Sequence, residues 1–151
     1  MTGPALPWLP PTLRAYLLGD TVLSDLVGGR ISTRAPSDVT QPWGRIQVPG
    51  PGPRTPSAGA YAPLVQFDGW CDRTGWDGRD PEAVAWDIAA RALVVLDGAR
   101  NVAADGFAWS CRRVIEGPLP TRDTSRGEAN PLYGAMVRAE LLVHVAAVAT
   151  P

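Results

Sequence analysis

Apolar residues recur along this chain with two different periods. In "PTLRAYLLGDTVLSDLVGG", Leu13, Leu17, Leu18, Leu23, Leu26 and Val27 fall at helical spacing. Thr12 can cap the first turn, Gly19-Asp20 permits a break and a second cap, and Gly28-Gly29 stops the run. The pattern predicts two short consecutive helices, or one helix with a kink. Alternation then predicts strands in "WGRIQV", after Pro42, and in "YAPLVQFDGWCD". In the second, Val65, Phe67 and Cys71 share one face, and Gln66, Asp68, Trp70 and Asp72 the other. Between them, "PGPGPRTPSAGA" (Pro49 to Ala60) is too rich in proline and glycine for regular structure and reads as an exposed loop or hairpin tip.

The clearest element is a helix starting at Pro81. Asp80 sits at the cap, Pro81 at the first helical position and Glu82 in the first turn, and Asp97-Gly98 supplies the stop. Ala85, Ile88, Ala89, Ala92, Val95 and Leu96 form a stripe suited to lying on a sheet. Trp86, Leu93 and Val94 lie beyond that stripe, and a small domain has little interior to cover them, so another subunit can. Two final strands follow, "FAWSCRRVIEG" and "LYGAMVRAELLVHVAA", joined by the polar connection "PLPTRDTSRGEANP". In the last strand Val137, Leu141, Val143 and Val145 oppose Arg138, Glu140 and His144. The order is helix, strand, strand, helix, strand, strand. Residues 1–11 read as an extended proline-rich arm, and residues 12–148 as a single domain.

A chain of 151 residues can bury about two thirds of its unfolded surface. The net charge of -1 steers it toward neither nucleic acid nor an anionic membrane. All 14 basic residues are arginine, which excludes Schiff-base and P-loop lysine chemistry. The opening has no basic residue before Arg14, and its prolines interrupt any signal-like apolar core. The runs "AVAWDIAARALVVL" and "LLVHVAAVA" are respectively charged and short of the ~20 residues of a membrane span, so no membrane partner and a soluble chain are expected. Cys71 and Cys111 are expected as free, buried thiols.

The stretch "WCDRTGWDGRDPEA", with Asp72, Asp77 and Asp80, most resembles a site. An EF-hand register anchored on Gly78 would put Arg73 and Gly75 at ligand positions, so a calcium loop is excluded. Convergence of the carboxylates on a hydrolytic centre is possible in principle, but capping by Asp80 and turn formation by Gly75 and Gly78 already account for these residue types. The stretch is read as a strand-to-helix joint. His144, the single histidine, has no glycine-flanked nucleophile elbow anywhere in the chain to serve, and with two distant cysteines it cannot complete a zinc set. No catalytic residue, metal or cofactor is expected. Arg112, Arg113, Arg122 and Arg126 are interleaved with Asp105, Glu116, Asp123 and Glu128, which favours solvated faces or ion pairs between subunits over nucleic-acid binding. Trp70 and Trp86 suit either a protein interface or cover by a loop of the same chain.

The opening "LRAYLLGDTVLSDLVGGRI", ending in Gly28-Gly29-Arg30-Ile31, resembles the start of the tail terminator (tail completion) proteins of long-tailed bacteriophages. The likeness runs on through "WGRIQV", "PLVQFDGWC", "PEAVAWDIAARALVVLDG" and the closing strands with Arg122-Asp123, covering Leu13 to Val145. The proline-rich arm and the long "PGPGPRTPSAGA" loop depart from the simplest family pattern. The resemblance implies an α+β fold: a four-stranded antiparallel sheet with helices packed on one face, in the order α-β-β-α-β-β. It also implies a homohexameric ring at the tail-neck junction of the virion, assembled in the host cytoplasm. Its partners would be the major tail tube protein and the head-tail connector, with viral DNA only passing through the lumen. Trp70, Trp86, Leu93, Arg54, Arg122, Asp123 and Arg126, with the loops Pro49–Ala60 and Leu119–Pro131, are the interface candidates. Another neck or head-closure component, or a small-ligand or enzymatic α+β domain, are the alternatives.

Overall fold

The computed structural model describes residues 6–50 and 60–145. Two short helices come first, α1 (Pro10–Leu18) and α2 (Thr21–Val27). The helix α1 takes in Pro10 and Pro11, which the proline pattern assigned to the arm; both tolerate the first turn, where no amide partner is lost. Asp20 caps α2 by accepting from the Leu23 amide at 2.9 Å, and Gly28, at φ 56°, ends it in the left-handed conformation. Thr12 does not cap α1. Its hydroxyl instead accepts from the Trp109 indole N–H at 3.1 Å.

Among the described residues seven strands follow the helical opening: β1 (Ile31–Ser32), β2 (Trp43–Gly50), β3 (Ala60–Tyr61), β4 (Leu64–Asp72), β5 (Val102–Ala104), β6 (Phe107–Asp123) and β7 (Leu132–Val145). The third helix, α3 (Pro81–Asp97), separates β4 from β5. The strands form one sheet in the order β1-β2-β4-β7-β6-β5, with β3 also on β7. Pairing is parallel between β1 and β2 and antiparallel elsewhere.

The expected four-stranded antiparallel sheet with helices packed on one face is therefore corrected. The sheet is mixed, has seven strands and curls into a half-barrel. The three additional strands span two or three residues each, too few for alternation to mark them in the sequence. The curl has a local cause in β6, whose register against β7 shifts at Cys111/Arg113, Val114/Glu116 and Glu116/Leu119. Such bulges bend a strand and sharpen its twist. The strand β6 also passes through Pro118 and Pro120, where the sequence pattern ended it, and the connection to β7 shrinks to residues 124–131. The prolines are tolerated because β5 pairs only with Phe107 to Trp109. Beyond that, among the described residues, the outer edge of β6 has no strand partner to receive an amide.

One helical layer links the two ends of the curled sheet. The helix α1 contacts β1 and β2, while Tyr16 meets Trp109 of β6 edge to face at 5.2 Å. Trp109 is completely buried, and its single polar hydrogen is satisfied by Thr12. The face of α3 formed by Ala85, Ile88, Ala89, Ala92 and Leu96 is buried against β4, β6 and β7. The small residues on that face let the helix approach closely. Gly69 of β4 is where it comes nearest: a side chain there would collide with Ile88.

Candidate functional site

The aspartate-rich stretch is a joint. The Asp72 carboxylate, at the end of β4, accepts from the Thr74 amide at 3.0 Å, and its carbonyl accepts from the Gly75 amide at 2.9 Å. Gly75 has φ 75° and faces the Arg79 carbonyl so closely that no Cβ fits. Trp76 and Arg79 close the turn as a bridge, and the Asp80 carboxylate caps α3 through the Glu82 amide at 2.8 Å. Asp72 and Asp80 thus each hold a backbone amide of the turn or the helix that follows. Asp77, at φ 53°, occupies the turn itself.

His144 is exposed on β7, in register with Ala60 and Ala108. The two cysteines are free and buried on separate strands. Burial, aided by the nearby Asp72 and Asp80 charges, pushes the Cys71 thiol up to about 11; burial also raises that of Cys111. Thiols held protonated in this way are poor nucleophiles at neutral pH.

The interface candidates separate into distinct environments. Trp70 is only 7% exposed, stacked on Trp43 at a centroid distance of 5.9 Å with the Arg45 guanidinium over its ring. Its own chain covers it, with Val39 and Leu132 completing the small cluster. Trp86 is 42% exposed on α3, and Leu93 is partly buried on the same helix. Trp86 walls a groove of about 500 Å³ between the start of α3 and the far ends of β6 and β7. Arg122 and Tyr133 line the same groove, the guanidinium lying 5.5 Å from the tyrosine centroid. The Asp123 carboxylate accepts from the Ser125 amide at 2.8 Å, ordering the turn after β6. Arg126 lines a second groove, of about 460 Å³, with Asp72, Arg73 and Asn130. Arg54, and most of the loop Pro49–Ala60, lie outside the described residues.

The polar positions of β2, β4, β6 and β7 carry a network that the alternation located only in part. Arg45 of β2 pairs with Asp68 of β4 at 3.2 Å, and Asp68 also accepts from the Gln66 amide at 2.8 Å. Arg138 of β7 donates to Gln66 at 2.9 Å and pairs with Glu116 of β6 at 3.0 Å. Glu140 is flanked by Arg112 and Arg113 at 3.3 and 3.4 Å, so both arginines have a partner within the chain. Asp68 and Glu140 are nearly inaccessible. Burial raises the Asp68 carboxyl above its usual range, opposed by the Gln66 hydrogen bond and the Arg45 charge. The period-two pattern placed Gln66 and Asp68, and Arg138 and Glu140, away from the apolar face of their strands; it could not show that they join a network across four strands.

No protein-family model matches the chain, and no curated protein matches it. A solved structure does. The chain shares its fold with a chain from the virion of a native gene transfer agent particle, at 18% identity and a TM-score of 0.51, over 89% of this chain and 94% of that one. Likeness at that identity is a likeness of fold.

Proposed function

We propose that the protein is a structural component of a phage-like virion and that, within it, it serves as the tail terminator. The observation that carries this reading is the fold shared along almost the entire length of both chains with a component of the gene transfer agent virion. The sequence likeness to tail terminators adds the finer role. In this role each protomer, a single domain behind a proline-rich arm, joins a homohexameric ring. One side of the ring blocks further addition to the tail tube, and the other receives the head-side connector.

The work is done by shape, with no chemical step. Trp86, Leu93, Arg122, Asp123 and Arg126 are the contact residues retained from the candidates within the described part of the chain; Trp70 is withdrawn, because its own chain already covers it. Large apolar side chains at the surface, Trp86 and Val94 on α3 and Ile115 and Leu119 on β6, supply area that a neighbour can bury. Among the described residues no strand pairs with the outer edge of β6 beyond Trp109, which adds backbone groups available for pairing.

The test is size-exclusion chromatography with light scattering over a concentration series, alone and with tail tube protein. A ring that stops tube extension is the expected result. A chain that stays monomeric and never engages tube protein removes the terminator role, and binding only to a head-side protein moves the assignment to another neck component.

A further inference from the structure

The residues just before α1 leave apolar side chains in solvent. Leu6 is 57% exposed and Trp8 69%, although Leu9 and Pro10, directly after them, are buried. The root of this projection is anchored by the buried Leu9, with a long hydrogen bond of 3.4 Å from the Tyr61 hydroxyl to the Pro7 carbonyl, and the ring of Pro7 fixes its own φ. At the other end of the molecule lies the groove walled by Trp86, Tyr133 and Pro120, with Arg122 and Glu82 at its margins.

We infer that these are the two halves of one contact: the Leu6-Pro7-Trp8 knob of one protomer seats in the Trp86–Tyr133 groove of the next. The chemistry matches. Grooves walled by aromatic rings take apolar segments containing proline, and a tryptophan on a pre-organised segment is an efficient anchor because little conformational freedom is lost on docking.

Geometry excludes the chain's own groove, so only a second copy can bring these two surfaces together. Tyr61, which holds Pro7, is in register with Val143, whereas the groove includes Ala135 of the same strand. Eight residues of extended strand separate the two positions, about 26 Å at ~3.3 Å per residue. Leu6 and Trp8 flank the tethered Pro7 and cannot reach the groove of their own chain. Knob and groove are unlike surfaces at opposite ends, so the contact is heterologous and repeats from copy to copy. It closes into a ring when the rotation allows and otherwise extends as a filament. The inference deepens the ring reading and depends on it only for closure.

Cysteine cross-linking in the full chain tests the contact, because Cys71 and Cys111 are buried and do not compete. Chains carrying Leu6→Cys and Ala83→Cys, mixed and mildly oxidised, should form a covalent heterodimer. The doubly substituted chain should give a ladder of multimers. Absence of the heterodimer, or a bond formed within the double variant, overturns the inference. Independently, Trp8→Ala and Trp86→Ala, each verified as folded by circular dichroism, should weaken self-association roughly tenfold or more; unchanged association overturns it. A ladder formed by a protein that ignores tail tubes keeps the contact and removes the terminator role. Full tube capping by an undiminished Trp8→Ala ring does the reverse.

Discussion

Replacing Gly69 with alanine adds a single methyl group at the closest approach of α3 to the sheet. Its Cβ would lie 2.7 Å from both Cβ and Cγ2 of Ile88 and 2.9 Å from the Ala85 carbonyl oxygen. Two of those atoms belong to a completely buried, β-branched side chain and the third to helix backbone, so no flexible tip can swing aside. The helix has to move away from β4, loosening its contacts with β6 and β7 as well. Overpacking of this kind costs about 1–3 kcal/mol. For a chain of this size, that lowers Tm by about 2–12 °C. Urea unfolding followed by circular dichroism should show a lower midpoint with an unchanged slope. A double-mutant cycle makes the reasoning sharper. Ile88→Ala alone should cost about 2–5 kcal/mol through the cavity it leaves. It also removes the Cγ2 that obstructs residue 69, while the Cβ of residue 88 and the Ala85 carbonyl stay in place, so the two substitutions together should cost less than their sum by about 0.5 kcal/mol or more. Wild-type stability for Gly69→Ala, or strict additivity in the cycle, would refute this account of how the helix meets the sheet.

Three further outcomes are expected. The Asp20 carboxyl, held down to about 2 first by its hydrogen bonds from Arg91 and then by the Leu23 amide, should titrate by NMR near that value and move up toward 3.8 in Arg91→Ala. Because its folded pKa is depressed, the stabilisation from this group is complete above about pH 4 and is lost as pH falls toward 2. Asp68 behaves with the opposite sign: burial raises its pKa, so its ionisation opposes folding increasingly as pH rises from about 4 through the folded value. Arg45→Met should move the Asp68 titration still higher, measured by NMR, and destabilise the protein more at pH 7 than at pH 4. Neither Cys71 nor Cys111 should react with a thiol-specific dye at pH 8 until denaturant is added, after which both should; fast labelling of the native protein would contradict their burial.

The residues that act on their immediate neighbours were readable from the sequence. Asp20, Gly28, Asp80 and Gly98 bound the helices where capping chemistry places them, because a cap is satisfied within a few residues of itself. The four longer strands and the apolar stripe of α3 were legible for a similar reason: the period of a buried face is written along one segment. The joint at Asp72–Asp80 was likewise legible as a turn followed by a helix cap from its local residues. Tertiary structure alone decided the rest. The strands of two and three residues exist only because neighbours receive them, and Pro118 and Pro120 remain within β6 because no strand among the described residues pairs with its outer edge there. Thr12, a cap by its position, became the partner of Trp109, 97 residues away. Trp70 and Trp86 are indistinguishable as residue types; one lies beneath Arg45 and Trp43, and the other faces solvent above a groove. Which of them can meet a neighbour depends on what the curled sheet brings over each, and that is settled by contacts distant in sequence, to which no local pattern refers.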